Sequence, residues 1–248
     1  MPAFTEGCQM TRLRHGHGSH PGKVRQLNED NFVADPKLDL WVVADGMGGH
    51  AAGEVASELV TEGLVREIRQ GKSLREAIIK AHHSVLDASG NRPGSLAMGS
   101  TVVALRVSEF DYELSWVGDS RAYLWDGEKI IQLTKDHSFV QQLVDHGIIS
   151  EDEAKTHPKR NVITRAVGHQ GARGFATTEL EVDTVQGKLA NGQSILLCSD
   201  GLTGEVTLEQ IEQRFRDAET PQQTADRLIA DALAGGGRDN VTVIVVSA

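Results

Sequence analysis

The sequence predicts a mixed α+β domain whose strands are antiparallel. Between Ser100 and Leu133, four short β-rich runs follow one another through turns, one of them the tight Asp126-Gly127 pair, which is hairpin spacing rather than strand–helix–strand spacing. Segments with helical periodicity lie on either side, one opened by the capping box Ser73-Leu-Arg-Glu76. No Pro/Ser-rich linker, repeat or change of composition divides the chain, so a single domain over residues 12–248 is expected, with residues 1–11 as a flexible extension.

Composition narrows the function. The 248 residues are 39% hydrophobic and 24% charged, enough to fill a core. The net charge of -10 argues against a binder of phosphate backbones, so no nucleic-acid partner is expected. Two cysteines, Cys8 and Cys198, make no disulfide framework. The N-terminus lacks a signal-peptide core, and no apolar run could span a bilayer; a cytoplasmic protein without a membrane partner is expected.

Along the chain, His15-Gly-His-Gly-Ser-His20 reads as a glycine-spaced strand or loop rather than a metal tract, because no cysteine or paired acid accompanies it. In Arg25-Gln-Leu-Asn-Glu29-Asp30, strand alternation would put Arg25 and Glu29 on one face and Asp30 on the other. The apolar strand Trp41–Ala44 ends at Asp45 and a glycine-rich turn. Val55, Leu59, Leu64 and Ile68 then suggest the buried stripe of a helix, and Leu74, Ala77, Ile78, Ala81 and Val85 that of a second. His82 and His83 are adjacent and face different ways, so joint ligation is not expected.

After the strands at Ser100–Val107, Glu113–Val117, Ala122–Trp125 and Lys129–Leu133, read as one meander, a helix is expected from Phe139 to His146 and a short one from Ser150. Residues 138–173 read as a mobile flap. Strands follow at Glu179–Val185 and Ser194–Cys198, helices from Thr207 and Thr220-Pro221, and a final strand at Val241–Val246.

The chemistry concentrates where strands meet glycine turns. Gly46-x-Gly48-x-x-Ala51 formally matches a dinucleotide fingerprint, but Glu62–Gln70 continues a helix where that motif needs a second strand ending in an acid. Asp45, Asp119 and Asp200 each end a strand, Asp239 precedes one, and Glu29-Asp30 adds a fifth position. One such acid is usually a turn former; the repetition is the signal. Asp126 belongs to its hairpin turn and is set apart from the group.

If these acids converge, two carboxylates about 4 Å apart repel by roughly 4 kcal/mol at an effective dielectric of about 20. They must protonate, splay or hold cations, and an oxygen-only donor set suits Mg²⁺ or Mn²⁺ over zinc. Two such ions about 3.5–4 Å apart would share a water, lower its pKa towards neutrality and create a nucleophile for in-line attack on phosphorus. Arg25 is the candidate clamp for phosphate oxygens.

The motifs Arg25-x-x-Asn28-Glu29-Asp30, Val43-Ala44-Asp45-Gly46-Met47-Gly48-Gly49, Gly99-Ser100-Thr101, Val117-Gly118-Asp119-Ser120-Arg121, Leu133-Thr134-x-Asp136-His137-Ser138, Ser199-Asp200-Gly201 and Arg238-Asp239-Asn240-Val241-Thr242 resemble, in order, the PPM (protein phosphatase 2C) family of metal-dependent serine/threonine phosphatases, and most of all its bacterial members. The resemblance implies a four-layer α-β-β-α sandwich of two antiparallel sheets flanked by helices. It implies phosphoserine/phosphothreonine hydrolysis by a metal-bridging hydroxide, with phosphoproteins as substrates, a cognate Ser/Thr kinase as opponent, and a monomer.

It further implies two Mn²⁺ or Mg²⁺ ions bridged by Asp45, one of them bound by the Gly46 carbonyl. Asp200 and Asp239 would hold the first ion, and Glu29 would contact the second with Asp30 supporting from behind. Asp119 would form a third, weaker site with Asp200, and Asn240 would steady the ligands. Many eukaryotic members carry a histidine as proposed general acid after the Asp-Gly pair; here that position is Met47. Neither His50 nor His137 is assigned the role. Two other classes stay open: a non-catalytic phosphoprotein binder on the same scaffold, and a metal nuclease, which the net charge disfavours.

Overall fold

The computed structural model describes residues 13–49, 52–90, 98–169 and 180–248. The expected extension at 1–11, His50 and the end of the flap at 170–173 lie outside the described residues. The strands are β1 (Arg14–His20), β2 (Asp30–Asp35), β3 (Leu40–Gly48), β4 (Met98–Ser100), β5 (Val102–Ser108), β6 (Asp111–Val117), β7 (Arg121–Trp125), β8 (Ile130–Gln132), β9 (Asp183–Lys188), β10 (Ser194–Cys198) and β11 (Val241–Ser247). The helices are α1 (Ala52–Arg69), α2 (Leu74–Ser89), α3 (Phe139–Asp145), α4 (Glu151–Thr156), α5 (Asp200–Thr203), α6 (Leu208–Asp217) and α7 (Pro221–Gly235).

Two antiparallel sheets form the centre, one in the order β1-β11-β10-β7-β8, the other β2-β3-β5-β6-β9 with β4 on β3. Strand alternation makes three apolar layers from the same residues. In β3, Leu40, Val42 and Ala44 pack against α1 and α2, while Trp41 and Val43 face the other sheet. In β10, Ile195 and Leu197 meet them between the sheets, and Leu196 and Cys198 pack under α5, α6 and α7. The result is the α-β-β-α sandwich.

Three local expectations are corrected. The four-stranded meander is two hairpins in different sheets: β5 pairs with β6 and β7 with β8, and the chain crosses between sheets at Gly118–Ser120, where Gly118 has φ +108°. The buried face of α1 is Ala56, Val60, Leu64 and Ile68; Val55 is exposed, because the helix presents a face one position further along than the largest side chains suggested. Residues 25–29 form no strand, since the turn at Gly22 (φ +80°) throws this segment into a loop that ends only at Asp30.

Two strand bounds also shift: β3 does not end at Asp45 but runs on through Gly48, because Gly46–Gly48 pair with β4, and the strand expected at Glu179–Val185 begins at Asp183, where pairing with β6 starts. Several turn and cap signals are formed as expected. The capping boxes at Ser73/Glu76, Ser150/Glu153 and Thr207/Gln210 are formed, and Thr220-Pro221 opens α7. Among the described flap residues, Ser100 and Val167 exchange backbone bonds of 3.0 and 2.8 Å, and the Gly168 amide donates to His82 Nδ1, so this part is tied to β4 and α2.

Candidate active site

Register brings the acids to one end of the sandwich. Asp30 lies directly opposite Asp45 in the β2–β3 ladder. On β2, Phe32 and Ala34 face the other sheet, and Asp30 shares their face. Two carboxylates opposed across a ladder destabilise it unless protonated or matched by cations. The other sheet supplies hydroxyls: Ser199 Oγ and Thr242 Oγ1 both donate to Asp30 Oδ2 at 2.7 Å. Asp30 Oδ1 is buried without a partner, as is Asp119 Oδ1.

Asp45 is fixed through its backbone. Its amide donates to Thr101 Oγ1 (3.1 Å), and its carbonyl accepts from the Thr101 amide (2.8 Å) and Ser100 Oγ (3.1 Å). Thr101 is held in turn by Ser120 at 2.6 Å. The Asp45 carboxylate lies within hydrogen-bonding reach of Asp200. Asp200 begins α5, where the chain turns at Gly201; a Cβ there would collide with the Asn240 carbonyl, so the turn needs glycine.

Asn240 organises the loop opposite. It accepts from the Glu29 amide (2.8 Å) and donates to the carbonyls of Pro21 (3.0 Å) and Leu27 (2.8 Å). The pinned loop delivers Arg25 Nη2 to Asp239 Oδ2 at 2.8 Å. Arg25 thus reaches the acids although the strand expected to carry it is absent. A Cβ on Gly53 would occupy the space where Glu29 Oε1 and the Gly46 carbonyl converge.

The electrostatics follow from this crowding. Burial, then the charges of Asp30 and Asp200, push the Asp45 carboxyl well above the usual carboxylate range. Burial pushes Asp30 and Asp119 up to about 7, in each case against hydrogen bonds that oppose the shift. Asp200 is raised by burial and by Asp239. Asp239 raises the Arg25 guanidinium through a hydrogen bond and its charge.

These residues fit divalent cations. The donor set is all oxygen, two buried carboxylate oxygens are orphaned, and the space beside Gly53 would be filled by a single methyl group. Among the described residues, no three His, Cys, Asp or Glu side chains close into a cage of ligand geometry. Asp239 is drawn instead to Arg25.

Two residues singled out from the sequence stand apart. His137 Nδ1 accepts from the Gly118 amide at 3.0 Å, so its proton lies on Nε2, towards Asp183 at 3.2 Å; both ring nitrogens serve the structure. Asp126 Oδ1 accepts from the amides of Glu128 and Lys129 within its hairpin turn. Conversely, Ser199, Thr242, Thr101 and Ser120 hold the acids although sequence reasoning gave them no role. For Ser199, Ser120 and Thr242 the one signal was a hydroxyl beside or near an acid within its quoted motif; the motif of Thr101 holds no acid and gave none.

Comparison with known proteins follows this geometry. The sequence model of the family described as protein phosphatase 2C matches residues 18–234. The serine/threonine phosphatase stp of Listeria innocua is 35% identical over 238 residues, covering 91% of this chain and 92% of its own. The crystal structure of the Mycobacterium tuberculosis serine/threonine phosphatase PstP/Ppp superposes with a TM-score of 0.84 at 39% identity, covering 95% of this chain and 98% of the other. A structure of the PstP catalytic domain in complex with two manganese ions gives a TM-score of 0.82 at 38% identity, covering 95% and 97%.

Proposed function

The chain belongs to the protein phosphatase 2C family, and from that premise we propose that the acid cleft at the end of its sandwich is the seat of protein serine/threonine phosphatase activity. The enzyme is a phosphoric monoester hydrolase that depends on Mn²⁺ or Mg²⁺ and acts on phosphorylated proteins. The observation that carries the assignment to this cleft is the opposed Asp30–Asp45 pair, with Asp200 in reach and Arg25 on its rim.

Asp45, Asp200, Asp239, Glu29 and the Gly46 carbonyl are the residues that would hold the two ions, and Asp119 with Asp200 a third. Bound divalent ions supply Lewis acidity and a nucleophilic water at neutral pH. The chain's own residues do the rest. Asp30, fixed by Ser199 and Thr242, ties β2 to the second sheet directly opposite Asp45. Asn240 fixes the loop that carries Arg25, and Arg25 releases Asp239 to grip phosphate oxygens with its planar fork. Met47 donates no proton and His137 is engaged on both nitrogens, so neither supplies the proton of the leaving oxygen.

The test is hydrolysis of a phosphothreonine peptide with Mn²⁺, with and without chelator; equal rates in both would end the metal-dependent reading. Arg25→Ala is expected to raise KM about tenfold, the worth of one charged hydrogen bond, with a smaller change in kcat. We also assign the chain to the cytoplasm as a monomer that opposes a Ser/Thr kinase. Among the described residues no helix is long and apolar enough to cross a membrane. Fractionation and sedimentation check the location and the monomer; a lost kinase whose targets overlap none of this enzyme's substrates would sever the pairing.

A further inference from the structure

A separate open groove of about 630 Å³ lies between strand β2 and helix α1. β2 is an edge strand, paired with β3 alone. The Gly46 amide donates to the Glu29 carbonyl, so Glu29, Asn31 and Val33 direct their backbone groups towards β3. By alternation Phe32 and Ala34 direct theirs outward, along the groove. Two outward amides are covered by side chains, Asp30 by Asn28 at 3.3 Å and Phe32 by Asn31 at 2.8 Å, and no other cover of this edge is found among the described residues, so the Phe32 carbonyl and the Ala34 backbone stay open.

The groove has a direction. At its start Ser57 Oγ donates to the Glu29 carbonyl at 2.6 Å; at its far end Arg69 meets Asp35 at 3.9 Å. Helix and strand therefore run side by side away from the catalytic acids. Along that path the lining changes sign, from Glu58 and Glu62 near the acids to Arg66 and Arg69 at the far end, with Val33 and Val65 lining it as well. Glu58 and Glu62 have no ion-pair partner among the described residues. Arg69 is held only loosely by Asp35.

The geometry points to this groove as a docking channel for an extended segment of the phosphoprotein substrate, added antiparallel to β2. The inference rests on the phosphatase reading and extends it to substrate choice. Backbone bonds to the open edge give affinity without sequence, and the charged walls give selectivity. The segment places an acidic residue against Arg69 and a basic residue against Glu58 and Glu62. These positions are separated by about 13 Å of helix, which extended chain covers in about four residues. Antiparallel entry sets the order: acidic residue, basic residue, then the phosphoresidue on the C-terminal side at the acids.

Two phosphothreonine peptides test this with the whole enzyme and Mn²⁺. One is too short to reach the groove; the other continues N-terminally through the basic and acidic positions. The long peptide is expected to show a KM about tenfold lower, the size of two exposed charge contacts. The double variant E62K/R69E should raise the long peptide's KM to that of the short one, leave turnover of the short one unchanged, and be rescued by a long peptide with its two charges exchanged. Equal KM values for both peptides with the unaltered enzyme, or an equal loss on the short peptide, would overturn the docking channel. Fluorescence anisotropy of the labelled long peptide on metal-free protein separates the two readings. A Kd for the long peptide about tenfold below that of the equally labelled short one, a difference lost in E62K/R69E, supports the channel even where neither peptide is hydrolysed, and no such difference refutes it even where both are. A dimer in sedimentation that R69E dissociates would assign the groove to a second copy and overturn the proposal.

Discussion

Two largely shielded carboxylates of this molecule meet opposite fates. Asp136 is gripped by Arg121 through two bonds, Nε at 2.8 Å and Nη2 at 2.7 Å. Asp30 is the more deeply buried of the two, yet it receives only two hydroxyls on one oxygen and nothing on the other. Asp119, two residues from that same arginine, also keeps a bare oxygen. An arginine is thus at hand, and the fold uses it on Asp136. A buried acid paired in this way is structural, whereas a buried acid left unpaired has a high cost that a bound cation removes. The difference separates the residues that hold the sheets from those reserved for ions.

The comparison can be broken at several points. The largest effect is expected from Asp45→Ala, which should lower kcat/KM by about a thousandfold or more, as loss of several kcal/mol of metal-assisted stabilisation requires. Circular dichroism of the variant should match the parent, since the acid repels its neighbours rather than holding them. A denatured variant would place Asp45 with Asp136.

Next in size is the response to Mn²⁺. At about a hundredfold excess over its Kd the ion should stabilise the protein by about 2.7 kcal/mol. Asp200→Asn should remove most of that gain in thermal melts. An undiminished shift would show that the ion binds elsewhere.

Arg121→Met should act without metal. Breaking a buried pair costs about 3–5 kcal/mol, and the partial exposure of Arg121 reduces this to about 2 kcal/mol. Asp119→Asn should instead leave the metal-free protein as stable or more so. Equal losses in the two variants, measured by urea titration, would erase the distinction drawn between the two acids.

The gentlest expected effect is on pH. Asp30 and Asp119 are raised to about 7 by burial, so between about pH 4 and pH 7 the folded state holds protons that the unfolded chain has released. Stability of the metal-free protein should therefore fall as pH rises through this window. His82 and His137 are lowered by burial and oppose the trend below their ordinary value, because protonating them on unfolding favours the unfolded chain. Mn²⁺ should flatten the decline, and Asp30→Asn should reduce it. Metal-free melts that rise steadily from pH 4 to pH 7 would contradict the raised carboxyls.

The sequence by itself determined the features that depend on near neighbours. Capping boxes and the Asp126 turn rest on bonds within a few residues, β10 and β11 show as short unbroken apolar runs, and Asp45, Asp119, Asp200 and Asp239 were visible because each sits beside glycine at the end of an apolar run or before one. Tertiary structure alone decided what depends on distant partners. It put β6 and β7 in different sheets. It brought Arg25 to Asp239, 214 positions away, without the strand that alternation suggested. It also recruited Ser199 and Thr242 to Asp30. Local patterns fix torsions and faces, but which faces meet is set by burying all three apolar layers at once, and no window of sequence contains that sum.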